Sequence, residues 1–260
     1  MSVEENGSGD EWGFPNAATP PGSADYYAVR FCAPQRRRLY ALLLGWHGVI
    51  RSTVDRPRDP GVARMKLDWW RNEISGLKRT EPRHPLLRAL REESLDDRAI
   101  AAMHQVIDAA ERHIIAPQPA DDAAFLAACR GDRGSLLGLV AAARPDNGPD
   151  PTAAVAAGSY SSAVSRVGQL ARRPDLLPND CTPLRLRDLP MHRRVRRLDA
   201  LFDGLGPLLP SPGELPELAA RMHALALALH KKLRRTGYAV HDQPIDRNPL
   251  AHLWTAWRVR

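Results

Sequence analysis

Between Leu95 and Ile114 the apolar residues Leu95, Ala99, Met103, Val106, Ala110 and Ile114 recur at steps of three and four, the period of one face of a helix. The apolar run from Leu39 to Ile50 is also helical in pattern. The stretch Ala123 to Ala143 is rich in alanine and leucine, with a stop at Arg144-Pro145. Asp150-Pro151 opens another helix, expected from Thr152 to about Ala171. Leu215 to Leu233 is a further amphipathic run, ending at Thr236-Gly237, where Gly237 suits a left-handed cap. No segment alternates apolar and polar residues as a half-buried strand does. The pattern predicts roughly eight helices in one all-α, single-domain helical bundle. Proline-bearing joints fall near 57–60, 82–85, 117–119, 145–151, 174–183 and 207–216. Residues 1–24 are polar and rich in Gly, Pro and Ser, and read as a disordered tail. That leaves 25–260 as the folded domain.

Composition adds bounds. A chain of 260 residues can bury a substantial core without disulfides or metals. The three cysteines, Cys32, Cys129 and Cys181, are far apart and match neither a disulfide framework nor a zinc pattern. The first residues are acidic and polar, unlike a secretory leader. The longest apolar stretch, about Tyr40 to Ile50, is too short to span a membrane. A cytoplasmic protein is expected, with peripheral contact at the inner membrane face as an open alternative. The formal net charge is +7, carried almost wholly by arginine. This excess suits diphosphates or anionic lipid as well as nucleic acid.

Several residues occur in a telling order. Tyr26-Tyr27 and Arg36-Arg37-Arg38 precede the run Leu39 to Ile50; then come Arg51-Ser52-Thr53-Val54-Asp55 and Asp59-Pro60. Lys66-Leu-Asp-Trp-Trp-Arg-Asn-Glu73 and His84-Pro85 follow. Gly158 leads through Gln169 and Arg173 to Leu177-Pro178. Over roughly Tyr26 to Pro178 this order resembles the squalene/phytoene synthase family. The resemblance implies an isoprenoid-synthase-type fold and two aspartate-rich motifs, one per wall of a pocket, holding Mg²⁺ against a prenyl diphosphate. In the first motif Arg51 and Ser52 stand where the family has aspartates, and Asp55 alone remains. In the second, read without gaps from Gly158, the aspartate positions carry Gln169 and Arg173. A lone Asp55 cannot hold Mg²⁺ tightly where the resemblance implies carboxylates from both walls together with substrate phosphates. The pattern resembles degenerate bacterial members and the phytoene-synthase-like assembly factor of respiratory complex I.

Substrate-binding candidates are Arg36, near the diphosphate entrance that the resemblance implies, Trp69, as a wall of its prenyl tunnel, and Arg51 and Arg173, as arginines able to hold phosphate oxygens. Some of these residues have a plainer reading. Arg36 to Arg38 form a solvated first helical turn, Trp69-Trp70 are packing residues, and Asp55 is a helix-end residue before Pro57. Arg185 to Arg197 is the densest basic segment, either a solvated face or a contact with an anionic membrane. It lacks the interleaved aromatics of a base-stacking site, so nucleic acid is not expected. His47 reads as a core histidine facing the centre; His223 and His230 read as packing or surface residues. Three hypotheses follow. The first is an inactive relative that binds a protein partner, an isoprenoid or the membrane surface, with no cofactor. The second is an active Mg²⁺-dependent transferase condensing farnesyl or geranylgeranyl diphosphate, with Asp55 as a metal ligand. The third is a basic peripheral membrane or nucleic-acid binding module with no ligand pocket. The missing aspartates favour the first.

Overall fold

The computed structural model describes residues 11–55, 59–143, 151–205 and 215–259. The expected stop at Arg144-Pro145 and most of the joint at 207–216 lie outside these residues, as do Pro57 and the first ten positions. The described chain is helical, with no strand among the described residues. The helices are α1 (Ala24–Arg30), α2 (Pro34–Asp55), α3 (Pro60–Ser75), α4 (Pro85–Glu92), α5 (Asp97–Ile115), α6 (Asp122–Cys129) and α7 (Ser135–Ala142). They continue with α8 (Pro151–Gly168), α9 (Pro183–Asp188), α10 (Met191–Asp203), α11 (Glu217–Arg235) and α12 (Pro249–Trp257). More helices form than the eight expected, because short proline-led segments fold as helices of their own.

Four helices start with proline at the first position behind a side-chain cap. Asp59 caps α3, His84 caps α4 through its ring nitrogen, Thr182 caps α9 and Asn248 caps α12. Proline suits this place because its missing N–H is one of the helix's unpaired donors, and the cap satisfies another. Thus Asp59-Pro60 and His84-Pro85 are helix starts. At the other end of α11, Gly237 has φ +58° and takes the left-handed conformation expected of it.

The core has two parts. One joins α2, α3, α4, α5, α7 and α11 around Tyr40, Trp46, Ile50, Leu67, Met103 and Leu139. The other joins α6, α8, α10 and α11 around Phe125, Val164, Leu198, Leu233 and Tyr238. All three cysteines are free and buried. Burial pushes each thiol up to about 12, so they behave as small apolar residues.

The segment 11–23 corrects the expected tail boundary. Trp12, Phe14 and Ala18 pack on the first core. The Asn16 amide donates to the carbonyls of Ala41 (2.9 Å) and Trp12 (3.0 Å). Gly45 lies directly under this contact; a Cβ there would touch the Asn16 amide nitrogen at 3.4 Å. Trp12 then reaches His84, with ring centroids 5.7 Å apart. A few large side chains hold a stretch whose average composition is polar.

Candidate functional site

Gly158 fixes the geometry of the site. The run 122–142 is one helix interrupted by a π-turn at Arg130–Gly134, where Asp132 leaves helical geometry at φ −92°, ψ −108°. Helix α8 packs against this turn backbone to backbone. A Cβ on Gly158 would lie 2.1 Å from the Arg133 carbonyl oxygen and 2.9 Å from the Gly134 Cα. Only glycine allows that approach, and the approach sets Asp132 between α2 and α8.

Helix spacing then brings two faces to one place. On α2, His47, Arg51 and Asp55 lie four apart, and on α8 Ser162, Ser165 and Arg166 share a face; Gln169 and Arg173 join them from the turn after α8. Arg51, Asp55, Asp132, Arg133, Ser162, Ser165, Arg166, Gln169 and Arg173 line a polar pocket of about 150 Å³. The two motif regions therefore face each other, as the family resemblance implies. Gln169 and Arg173 are not on the helix, however. Helix α8 ends at Gly168, where the segment carrying Ile245 crosses and its N–H donates to the Gly168 carbonyl (2.9 Å).

Asp132 is the centre of the cluster. Its Oδ2 accepts from the Ser162 hydroxyl at 2.9 Å and from Arg166 at 3.4 Å. Its Oδ1 lies 3.4 Å from His47 Nε2 and 3.9 Å from Arg51 Nε. Burial alone would raise its pKa, but Arg51, Arg166, His47 and Arg133 together hold it well below the usual carboxylate range. Arg166 is 4% exposed, so each of the two needs the other. Arg133 points to the neighbouring wall in a two-pronged pair with Asp25, 2.9 Å on each arm. Burial pushes His47 down to about 4, against the pull of Asp132; it is neutral at pH 7.

Asp55 lies 3.4 Å from both Arg51 and His113. Burial would raise its pKa, but the His113 hydrogen bond and the charges of Arg51, His113 and Arg173 keep it lowered. Arg173 is paired with Asp175 at 2.8 Å.

The remaining predicted residues lie elsewhere. Ser52 turns its hydroxyl back to the Val49 carbonyl (2.8 Å) and does not line the pocket. Trp69 packs edge-on against Trp70 at 5.0 Å, near His84, and forms no wall of the pocket. Arg36 sits in the first turn of α2, beside Tyr40 and about 22 Å along the helix from Arg51. Sequence reasoning missed Asp132, Arg133, Ser162, Ser165 and Arg166. A signal for the first two exists: Arg130-Gly-Asp-Arg-Gly134 is a charged, glycine-flanked break in an alanine-leucine helix.

The basic segment 185–197 is divided between α9 and α10. Arg197 clasps Asp122 and Asp180 at 2.6–3.0 Å, Arg187 pairs with Asp242 at 2.7 Å, and Arg194 donates to the Gly237 carbonyl at 2.9 Å. His223 and His230 are packing residues of α11. His230 also bridges two tyrosines, 2.6 Å from the Tyr160 hydroxyl and 2.7 Å from that of Tyr238, which donates to Asp199 at 2.6 Å. Because the Asp199 carboxylate only accepts, the neutral His230 donates from Nε2 and accepts at Nδ1.

The lining of the polar pocket does not fit a magnesium cluster. Its two carboxylates, Asp55 and Asp132, both lie within 3.9 Å of Arg51. Among the described residues no group of three or more His, Cys, Asp or Glu is placed to hold a metal ion. A second cavity of about 300 Å³ shares Arg133, Ser165 and Gln169 with the first. It has an apolar wall of Val164, Met222, Leu225, Ala226, Leu229 and Ile245.

An all-α bundle in which α2 and α8 offer opposed polar faces to one pocket is an isoprenoid-synthase-type fold. The sequence profile of the squalene/phytoene synthase family matches residues 20–170, more than half of the chain. The chain belongs to the squalene/phytoene synthase family. No curated protein matches it. Among the described residues no helix is long and apolar enough to cross a membrane.

Proposed function

We propose that this chain is a non-catalytic member of its family that binds an amphiphilic ligand with an anionic head, of the prenyl diphosphate type, without Mg²⁺. The observation that carries this reading is the position of Arg51 and Arg166 on Asp132, between the two degenerate motifs. Where the family's chemistry needs metal cations bridging two carboxylate walls, this chain has guanidinium groups already paired to the remaining carboxylates. Ionising an allylic diphosphate needs several kcal/mol of charge stabilisation from metal ions. Fixed arginines hold phosphate oxygens but do not supply that cluster.

The two neighbouring cavities, which share Arg133, Ser165 and Gln169, support the choice of ligand. Arg51 makes only long contacts, 3.4 and 3.9 Å, and Arg173 is 41% exposed. A phosphate group would draw Arg51 into a shorter contact and would compete with Asp175 for the Arg173 guanidinium. The adjoining cavity of about 300 Å³ offers an apolar wall. That volume is at the lower end for a small-molecule site, enough for one chain rather than two chains side by side. Head-to-head condensation needs two.

The test is turnover of farnesyl and geranylgeranyl diphosphate. With Mg²⁺ present, neither diphosphate release nor a condensed product is expected. Saturable binding of farnesyl diphosphate is expected, weakened by Arg51→Gln and by Arg173→Gln. Mg²⁺-dependent product that Asp55→Ala abolishes would restore the enzyme. No saturable binding would remove the ligand from the account.

A further inference from the structure

Helix α12 carries an apolar stripe that nothing among the described residues covers. Leu250, Trp254 and Trp257 follow one another at steps of four and three along one helical face and are 76%, 55% and 57% exposed. The opposite face is committed: His252 and Ala256 are buried, and Val259 packs on the first core. The two indoles lie 5.3 Å apart at 40°. Three large apolar side chains in a row on so short a helix are not the scattered exposure normal for a soluble surface.

Basic groups frame the stripe. The Arg258 guanidinium lies over the Trp254 ring, 5.8 Å from its centroid. Arg247 donates to Thr255 of α12 at 2.7 Å. Lys232 of α11 donates to the carbonyl of Asp246, just before the helix. Residues 231–260 hold seven basic residues (Lys231, Lys232, Arg234, Arg235, Arg247, Arg258 and Arg260) against Asp242 and Asp246, which is most of the chain's excess of +7. Lys231, Lys232, Arg234, Arg235 and Arg258 are exposed.

From this juxtaposition we propose that α12 is an interfacial anchor that lies on an anionic lipid bilayer. Leu250, Trp254 and Trp257 enter the boundary between headgroups and acyl chains, and Arg258, Arg247 and Lys232 beside them meet the acidic headgroups. Indole suits this boundary because its body is apolar and its N–H finds polar partners. Charge and apolar burial together are what hold an interfacial helix to a surface. The occupant is a flat anionic surface because the stripe is a ridge on a single helix, and none of its own residues is acidic. This proposal stands apart from the binding pocket and from the arginines of 185–197.

The experiment is co-sedimentation of the full chain with phosphatidylcholine vesicles, with and without phosphatidylglycerol. Tryptophan quenching by brominated lipid is read in parallel. Binding is expected only with phosphatidylglycerol and is expected to weaken as salt rises. Trp254→Ala with Trp257→Ala should lower the partition about ten-fold or more, from the apolar area no longer buried. Arg258→Glu should weaken it less, and quenching should vanish in the double variant while the helical spectrum stays unchanged. Vesicle binding that survives the double variant, or that Arg193→Gln with Arg196→Gln removes instead, would overturn the proposal. So would absence of vesicle binding together with self-association that the tryptophan variant abolishes; the stripe would then be a contact between copies.

Discussion

Helix α8 serves two polar networks at once. Ser162 and Arg166 hold Asp132, while Tyr160, two residues earlier, starts the chain through His230 and Tyr238 to Asp199. The second network has bonds of 2.6–2.7 Å and a single consistent set of donors and acceptors. The first has ion contacts of 3.4–3.9 Å around a pocket of about 150 Å³. A network that only supports the fold closes on itself, because unmet polar groups are costly away from water. The loose one has charges in excess of its bonds and room beside them, which is what a ligand site requires. The two can be told apart by how each responds to substitution and to pH.

The largest effect is expected from Asp132→Ala. It strands Arg166, which is 4% exposed, and the cost should be about 3–5 kcal/mol, read as a shift of the urea unfolding midpoint. Pairing it with Arg166→Met should recover a large part. Next is Gly158→Ala, which drives a methyl into the Arg133 carbonyl. Displacing backbone there should cost about 3 kcal/mol and weaken ligand binding through movement of Asp132.

Acid should distinguish the networks further. His47 has a pKa of about 4 in the fold, against 6.5 ordinarily. Between these values the unfolded chain binds a proton that the folded chain does not, so stability falls as pH drops through this window. The loss at His47 is about 3 kcal/mol, and His47→Gln should remove that part of the slope. His84, His223 and His230 are also lowered by burial and leave a remainder of the same sign. Towards lower pH the unfolded chain's Asp132 takes up a proton that the folded carboxylate, held low by its arginines, does not, so stability goes on falling. The smallest effect is expected from Tyr238→Phe. It removes the hydroxyl between His230 and Asp199 at a cost of about 1–2 kcal/mol, with farnesyl diphosphate binding unchanged.

The all-α fold was readable from the three- and four-residue apolar spacing, as Leu95 to Ile114 illustrates with α5. So was the pairing of the two motif regions, through the order of residues around Arg51 and Gly158. Other features depend on contacts distant in sequence. The π-turn that places Asp132 exists because Gly158 admits α8 against Arg133. The early end of α8 depends on the crossing at Ile245. Trp12 is held by α2 and His84, so local polarity misplaced the start of the domain. Trp69 packs on its neighbour because α4 brings His84 to that side.

If arginines stand where magnesium would, ligand affinity does not depend on the metal. Calorimetric titration with farnesyl diphosphate, in Mg²⁺ and again in excess chelator, measures this. The same affinity is expected in both, lost with Arg51→Gln. Binding that appears only with Mg²⁺, and that Asp55→Ala removes, would contradict it.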